Sequence, residues 1–202
     1  EGNRFVIALK DCKKPENAAK AVEELKSRGM PNYFGPQRFG LGKNNHVIGR
    51  LILRKDFPEA LQMINAQSKN KFRSLESIDK HRLKFYIHAY QSFFFNSLLD
   101  KYITKHEKPF FSEIPIAGFG TKLDGPLGKE LRSLLEKDNI RLEDFSIREL
   151  NMKAAGSSRP AFVKVEKIDF EVRDNSVKLS FQLPKGSYAT VLIAEVSKPK
   201  IR

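Results

Sequence analysis

Residues 4–10 set the large apolar side chains Phe5, Ile7 and Leu9 at every second position, a period that predicts a strand with one buried face. A helical period follows. Pro15 and Glu16 suit a first turn, Ala18, Ala21, Val22 and Leu25 share a face, and Gly29 is placed to end the helix. Residues 31–41 hold too much Pro, Gly and Asn for either state and contain three aromatics, so they predict an ordered loop. The apolar run 47–53 fits a strand or a buried helix equally. Asp56-Phe57-Pro58-Glu59 then reads as an N-cap with Pro in the first turn and an acid three residues on, predicting a helix through Ala60, Leu61 and Ile64. The longest helix is predicted over residues 79–106, where Leu83, Tyr86, Ile87, Tyr90, Phe94, Leu98 and Ile103 recur at helical spacing. Asp124-Gly125-Pro126 opens another, with Leu127, Leu131, Leu134 and Leu135 turned inward.

The C-terminal part changes period again. Residues 161–172 and 176–183 predict two strands joined by an Arg173-Asp174-Asn175 turn, the second alternating Val177, Leu179, Phe181 and Leu183 with polar residues. Residues 187–197 are ambiguous, since Val191 and Ile193 favour a strand while Ser187 suits a helix cap. Strand character therefore sits at both ends and helical character in the middle. That order fits an α/β domain with a helical insertion, and no internal repeat is present.

Charge narrows the possible partners. The 202 residues include 37 Lys and Arg against 24 Asp and Glu, a formal net charge of +13. Such an excess suits a polyanion, because each neutralised phosphate releases a counterion. The plainer alternative is a basic surface that only keeps the protein in solution. An anionic membrane surface is disfavoured, because the cations are interleaved with acids and form no amphipathic basic helix. Neither does any uncharged apolar stretch approach the roughly 20 residues that span a bilayer. A hydrophobic content of 40%, with 16 Phe, excludes a disordered basic tail. Cys12 is the sole cysteine, which excludes an intramolecular disulfide and a Cys-based zinc site and points to a reducing compartment. The chain starts at Glu1 with neither Met nor a signal-peptide pattern, and so is expected to be a piece of a longer protein.

Metal and nucleotide motifs are missing. His46, His81, His88 and His106 form no HExxH, and the spacing of His81 and His88 suits packing better than coordination, so no metal is expected. Neither Gly40-Leu41-Gly42-Lys43 nor Gly118-Phe119-Gly120-Thr121-Lys122 completes a phosphate loop. There is no GxSxG, and Cys12 beside Lys13 and Lys14 has no local base. The informative segment is residues 29–40. It joins an amide side chain that can read a base edge (Asn32), aromatic faces on which a base can stack, and a guanidinium for phosphate or carboxylate (Arg38). Composition alone also allows a glycine-rich loop pinned by its own aromatics.

Within that segment, Asn32-Tyr33-Phe34-Gly35-Pro36-Gln37-Arg38-Phe39-Gly40 resembles the NYFGxQRFG motif of the TruD family of tRNA pseudouridine synthases. Ala89-Tyr90-Gln91-Ser92-Phe93-Phe94-Phe95-Asn96-Ser97-Leu98-Leu99 is similar to the family's YQSxxFN helix, and Leu183-Pro184-Lys185-Gly186-Ser187-Tyr188-Ala189-Thr190 to its LPKGSYAT segment. The resemblance implies an α/β (α+β) pseudouridine synthase catalytic domain with an inserted, mainly helical TRUD domain. Residues 1–40 and 159–202 would form the catalytic domain and 41–158 the insertion. It also makes residues 187–197 a helix after the last strand.

The resemblance further implies a cytoplasmic, monomeric enzyme acting on tRNA. Such enzymes isomerise uridine, typically at position 13, to pseudouridine with a catalytic Asp and no cofactor. The target base must leave its stack, at a cost of a few kcal/mol that aromatic contacts partly offset. Carried over by position, Asn32 would support the catalytic Asp, and Phe34 and Tyr188 would line the base pocket. Gln37, Arg38 and Lys185 are further candidates for substrate binding, with a salt bridge or solvated face as the alternative. Tyr90, Phe94 and Phe95 are expected in the core. The family's nucleophile belongs to a GxKD segment that precedes these motifs, and no such segment occurs here. Gly120-Thr121-Lys122-Leu123-Asp124 differs in spacing and order, so neither Asp124 nor Asp11 is assigned the role. The nucleophile is expected upstream of residue 1, in a missing segment or chain. The competing reading is a non-catalytic RNA-binding module derived from the family.

Overall fold

In the computed structural model, which describes residues 2–105 and 112–197, strand β1 (Gly2–Leu9), helix α1 (Asn17–Arg28) and the short strand β2 (Met30–Pro31) come first. Helices α2 (Asn45–Leu53), α3 (Phe57–Ala66) and α4 (Lys80–Lys105) follow, then strand β3 (Glu113–Ile116) and helix α5 (Gly125–Lys137). The remainder comprises β4 (Ser146–Ile147), β5 (Met152–Lys153), β6 (Ser157–Pro160), β7 (Phe162–Val163), β8 (Glu166–Arg173), β9 (Ser176–Pro184) and α6 (Ala189–Ser197). Helix and strand are mixed along the chain, an α+β composition. The described residues divide into two compact units, one from residues 2–35, 102–105, 112 and 160–197, the other from 36–101 and 113–159.

In the first unit an antiparallel sheet runs β1-β9-β8. Its register pairs Phe5 with Phe181, Ile7 with Leu179 and Leu9 with Val177, so the alternating apolar residues of two strands share one face. Phe5 and Phe181 stack with centroids 5.3 Å apart. Ala18, Val22 and Leu25 of α1 and Val191 and Leu192 of α6 join the same core. Gly29 ends α1 at φ 75° and ψ −177°, a conformation open essentially only to glycine, and its N–H donates to the Leu25 carbonyl. Residues 187–197, ambiguous by propensity, place helix α6 directly after the last strand.

The stretch 161–172 departs from the expected single strand. Phe162 and Val163 pair with Pro31 and Met30, whereas Glu166–Arg173 pairs with β9. Ala161, Phe162 and Val163 are all buried, which strict alternation does not allow, and a register shift between Glu166 and Asp169 accompanies Lys167 at φ 47°.

In the second unit residues 47–53 resolve as helix, with Ile48, Leu51, Ile52 and Leu53 buried. Gly49 is what lets α2 lie against α4: a Cβ there would overlap the Tyr86 carbonyl oxygen and sit 3.0 Å from Tyr90 Cβ. Helix α3 begins after Asp56 as expected, but that side chain makes no cap hydrogen bond; its carboxylate lies 3.3 Å from Arg54 Nε instead. Asp79 does cap α4, accepting from the backbone N–H of His81 and Arg82 at 2.8 and 3.2 Å. The predicted end of that helix at His106 lies outside the described residues.

Tyr86, Ile87, Tyr90, Phe94, Phe95, Leu98 and Leu99 bury α4 on most sides. Two polar anchors fix it. Gln91 Nε2 donates to the carbonyls of Ala117 and Ala155 at 2.6 and 3.1 Å, and the Tyr90 hydroxyl donates to Asp138 at 2.8 Å. Burial, reinforced by that carboxylate, pushes the Tyr90 phenol far above its ordinary pKa, so it stays a donor. Among the described residues no helix is long and apolar enough to cross a membrane.

Candidate functional site

Asn32 leaves β2 with its backbone N–H donating to the Ala161 carbonyl at 2.8 Å. The residue is 3% exposed, and its side chain is held at both ends. Nδ2 donates to the Pro160 carbonyl at 3.1 Å, and Oδ1 accepts from the Ser187 hydroxyl, also at 3.1 Å. A carbonyl can only accept, so the contact with Pro160 fixes which way the amide points and requires Ser187 to donate.

Ser187 reaches this position through the tight turn after β9. Its N–H donates to the Pro184 carbonyl at 3.1 Å, and Gly186 takes φ 83° between them. Tyr188 then enters α6, its carbonyl accepting from Val191 at 3.0 Å. The Tyr188 ring meets Phe34 edge to face, with centroids 6.2 Å apart and planes at 65°. Two segments 155 residues apart are thereby joined by one hydrogen bond and one ring contact.

The first unit thus brings Asn32, Phe34 and Tyr188 together, with Lys185 exposed on the turn leading to Ser187. Gln37 and Arg38 lie in the second unit, on the 3-10 turn Pro36–Phe39, where Arg38 sits 5.4 Å over the Phe85 ring. Ser187 is the member that sequence reasoning missed. The one local signal is a hydroxyl residue directly after a turn glycine, which reads as a helix cap; the real partner is Asn32.

Chemically, the cluster offers an oriented amide and two aromatic rings beside the turn that carries Lys185, and neither aspartate weighed from the sequence joins it. Asp11 follows Leu9, which pairs with Val177 at the end of β9 opposite Pro184. Asp124 is in the second unit, exposed at the start of α5. Among the described residues no three His, Cys, Asp or Glu side chains gather to hold a metal ion.

Two histidines of the second unit make its stability depend on pH. Burial, then Arg50, lowers the pKa of His46 below 6.5, with Asp138 opposing; burial, then Arg38 and Lys84, lowers that of His88. At pH 7 both are neutral, and as pH falls the unfolded chain takes up protons on them, near 6.5, before the fold does. Their stabilising contribution is complete above that value and is lost as pH falls through the folded pKa values. Thermal unfolding is expected at lower temperature at pH 5 than at pH 7, with the difference smaller in His46→Gln and His88→Gln. An undiminished difference in both variants would place the effect elsewhere.

The family model for tRNA pseudouridine synthase D (TruD) matches residues 1–71 and 103–196. The chain belongs to the TruD family. The matched residues include the Asn32 loop and the Ser187 turn, while the Tyr90-Gln91-Ser92 stretch falls in the unmatched interval. A Methanopyrus kandleri protein named Probable tRNA pseudouridine synthase D is 29% identical, aligned with 96% of this chain and 64% of its own length. A Pyrobaculum arsenaticum protein of the same name is 28% identical, with coverages of 98% and 64%. This chain therefore spans a little under two thirds of these curated TruD relatives. The first alignment runs over 259 positions, more than this chain's 202 residues, so that relative carries insertions within the matched stretch. The crystal structure of a TruD protein of Methanosarcina mazei superimposes with a TM-score of 0.76 at 21% identity, covering 98% of this chain and 69% of that one. That likeness shows the fold.

Proposed function

We propose that this chain is part of a tRNA pseudouridine synthase that isomerises a uridine, at position 13, in folded tRNA. The supporting observation is the convergence of Asn32 and Phe34 with Ser187 and Tyr188, two family motif segments far apart in sequence. In this reading the unit holding those residues is the catalytic domain and the other unit the inserted TRUD domain. Phe34 and Tyr188 receive the extruded uracil, while Asn32, locked by Ser187 and Pro160, positions the nucleophilic Asp.

That Asp is assigned to a segment preceding residue 1. Gly2 pairs with Pro184, so a segment entering β1 arrives at the sheet end that leads into the Ser187 turn. The reaction breaks the bond from ribose to the uracil nitrogen and makes one to a ring carbon; the proton displaced from that carbon balances the nitrogen set free. Substrate and product are isomers, so the chemistry consumes no cofactor. Lys185, Gln37, Arg38 and the net charge of +13 serve the tRNA backbone, whose phosphates hold the substrate without reading its sequence. The enzyme is assigned to the cytoplasm and to a monomeric state.

The test is carbodiimide primer extension on unmodified tRNA after incubation with the full-length protein. A reverse-transcription stop at position 13 is expected. Tightly bound tRNA with no stop anywhere would leave a non-catalytic RNA-binding module as the better description.

A further inference from the structure

The second unit carries an aromatic surface that the reaction does not use. Phe85 and Phe93 on α4 remain 38% and 39% exposed, while the large apolar residues around them are buried. The Phe93 ring is firmly supported: His46 stacks on it with centroids 4.6 Å apart and planes at 14°, and Phe39 meets His46 edge-on at 5.7 Å. The loop above is fixed as well. Buried Asn45 donates from Nδ2 to the Arg38 carbonyl at 3.3 Å, and Gly40, at φ 77°, packs so closely on Asn45 that a Cβ would stand 2.8 Å from that nitrogen. Arg38 is thereby held with its guanidinium over Phe85.

We propose that this surface, with Phe93 as platform and Arg38 beside Phe85, stacks an unpaired nucleobase of the bound RNA other than the uridine that reacts. The proposal rests on the tRNA reading above. Stacking needs a flat face presented in a fixed orientation, and the His46–Phe93–Phe39 arrangement supplies one whose side-chain entropy is already spent. Charge selects among occupants. Residues 36–101 hold twelve Lys and Arg against five Asp and Glu, and Arg38 and Lys84 both act on nearby His88. The carboxylate that acts on His46, Asp138, is engaged by Arg50 and Tyr90. Arg38 over Phe85 and exposed Lys84 next to it repel a second copy of the same surface and attract phosphate, and aromatic faces beside a guanidinium are what unpaired RNA bases use.

The experiment uses the full-length protein and a fluorescent tRNA stem-loop with 2-aminopurine placed in turn at each loop position. Wild type is expected to quench 2-aminopurine at one non-target position. Phe93→Leu is expected to abolish that quench and weaken binding about 5- to 100-fold with an unchanged salt dependence, while Phe93→Trp restores both. Arg38→Gln is expected to lower the salt slope by about one. If Phe93→Leu, melting as wild type, binds within twofold and quenches equally, the proposal is overturned. A wild-type dimer that Phe93→Leu dissociates overturns it in favour of self-association. Failure of the wild-type protein to bind any tRNA instead overturns the functional reading on which the proposal stands.

Discussion

Asn32→Ala is expected to lower stability by about 2–4 kcal/mol, the lower part of the cost for two lost partners, because it strands the half-buried Pro160 carbonyl and Ser187 hydroxyl next to a buried side chain. Each lost partner costs about 1–3 kcal/mol when nothing replaces it. Asn32→Asp sharpens the test. An aspartate still accepts from Ser187, but at neutral pH its second oxygen faces the Pro160 carbonyl with no proton between them; protonation restores a donor. The Asp variant should therefore be least stable near pH 7 and recover relative to wild type near pH 4. Urea unfolding across that range measures both effects, and a loss below about 0.5 kcal/mol for Asn32→Ala would show that the clamp holds little. Well below the melting point of the variant, Asn32→Ala is further expected to bind tRNA while failing to modify it. Normal modification would remove Asn32 from the catalytic assignment.

Gly49→Ala reverses the usual preference of a helix interior. Alanine is favoured over glycine there by about 1 kcal/mol, yet at this position its methyl would overlap the Tyr86 carbonyl oxygen, with the carbonyl carbon 2.8 Å away. Both are backbone atoms of α4, so no side chain can rotate to make room, and the two helices must separate. A net loss of about 3 kcal/mol is expected, at the upper end of ordinary overpacking. Denaturant midpoints at an unchanged m-value would measure it; a variant as stable as wild type would mean that α2 and α4 shift apart at no cost.

The sequence made some of this legible and hid the rest for identifiable reasons. A period of two found β1 and β9, because Phe5, Ile7 and Leu9 of one strand and Val177, Leu179, Phe181 and Leu183 of the other pack on the core; the outer face is polar in β9 but carries exposed Val6 and Ala8 in β1. It failed at residues 161–172, where β7 pairs with β2 and β8 with β9, since pairing with two different strands removes a common inside face. The run 47–53 could not be settled by period, as burial on several sides erases the polar stripe that separates helix from strand. At the site, Asn32 and Phe34 were readable as types of chemistry, and Tyr188 only through the resemblance of its segment to the family's LPKGSYAT stretch. The role of Ser187 was not, because a hydroxyl's partner across 155 positions leaves no trace in local spacing. Asp56 shows the opposite error: its position suited a cap, but Arg54 competes for the carboxylate.

The order of the β1-β9-β8 sheet also bears on how the protein is made. A ribosome adds about 5–20 residues per second, and β1 must wait for the whole span between Leu9 and Ser176 before β9 exists to receive it. Helices α2 to α5 can pack meanwhile, within their own unit, whereas the early strand stays exposed for roughly 8–33 seconds. Phe5, Ile7 and Leu9 are then unprotected, which makes that interval the time when a chaperone would matter most. The Asn32–Ser187 clamp closes later still, once the turn after β9 has been made.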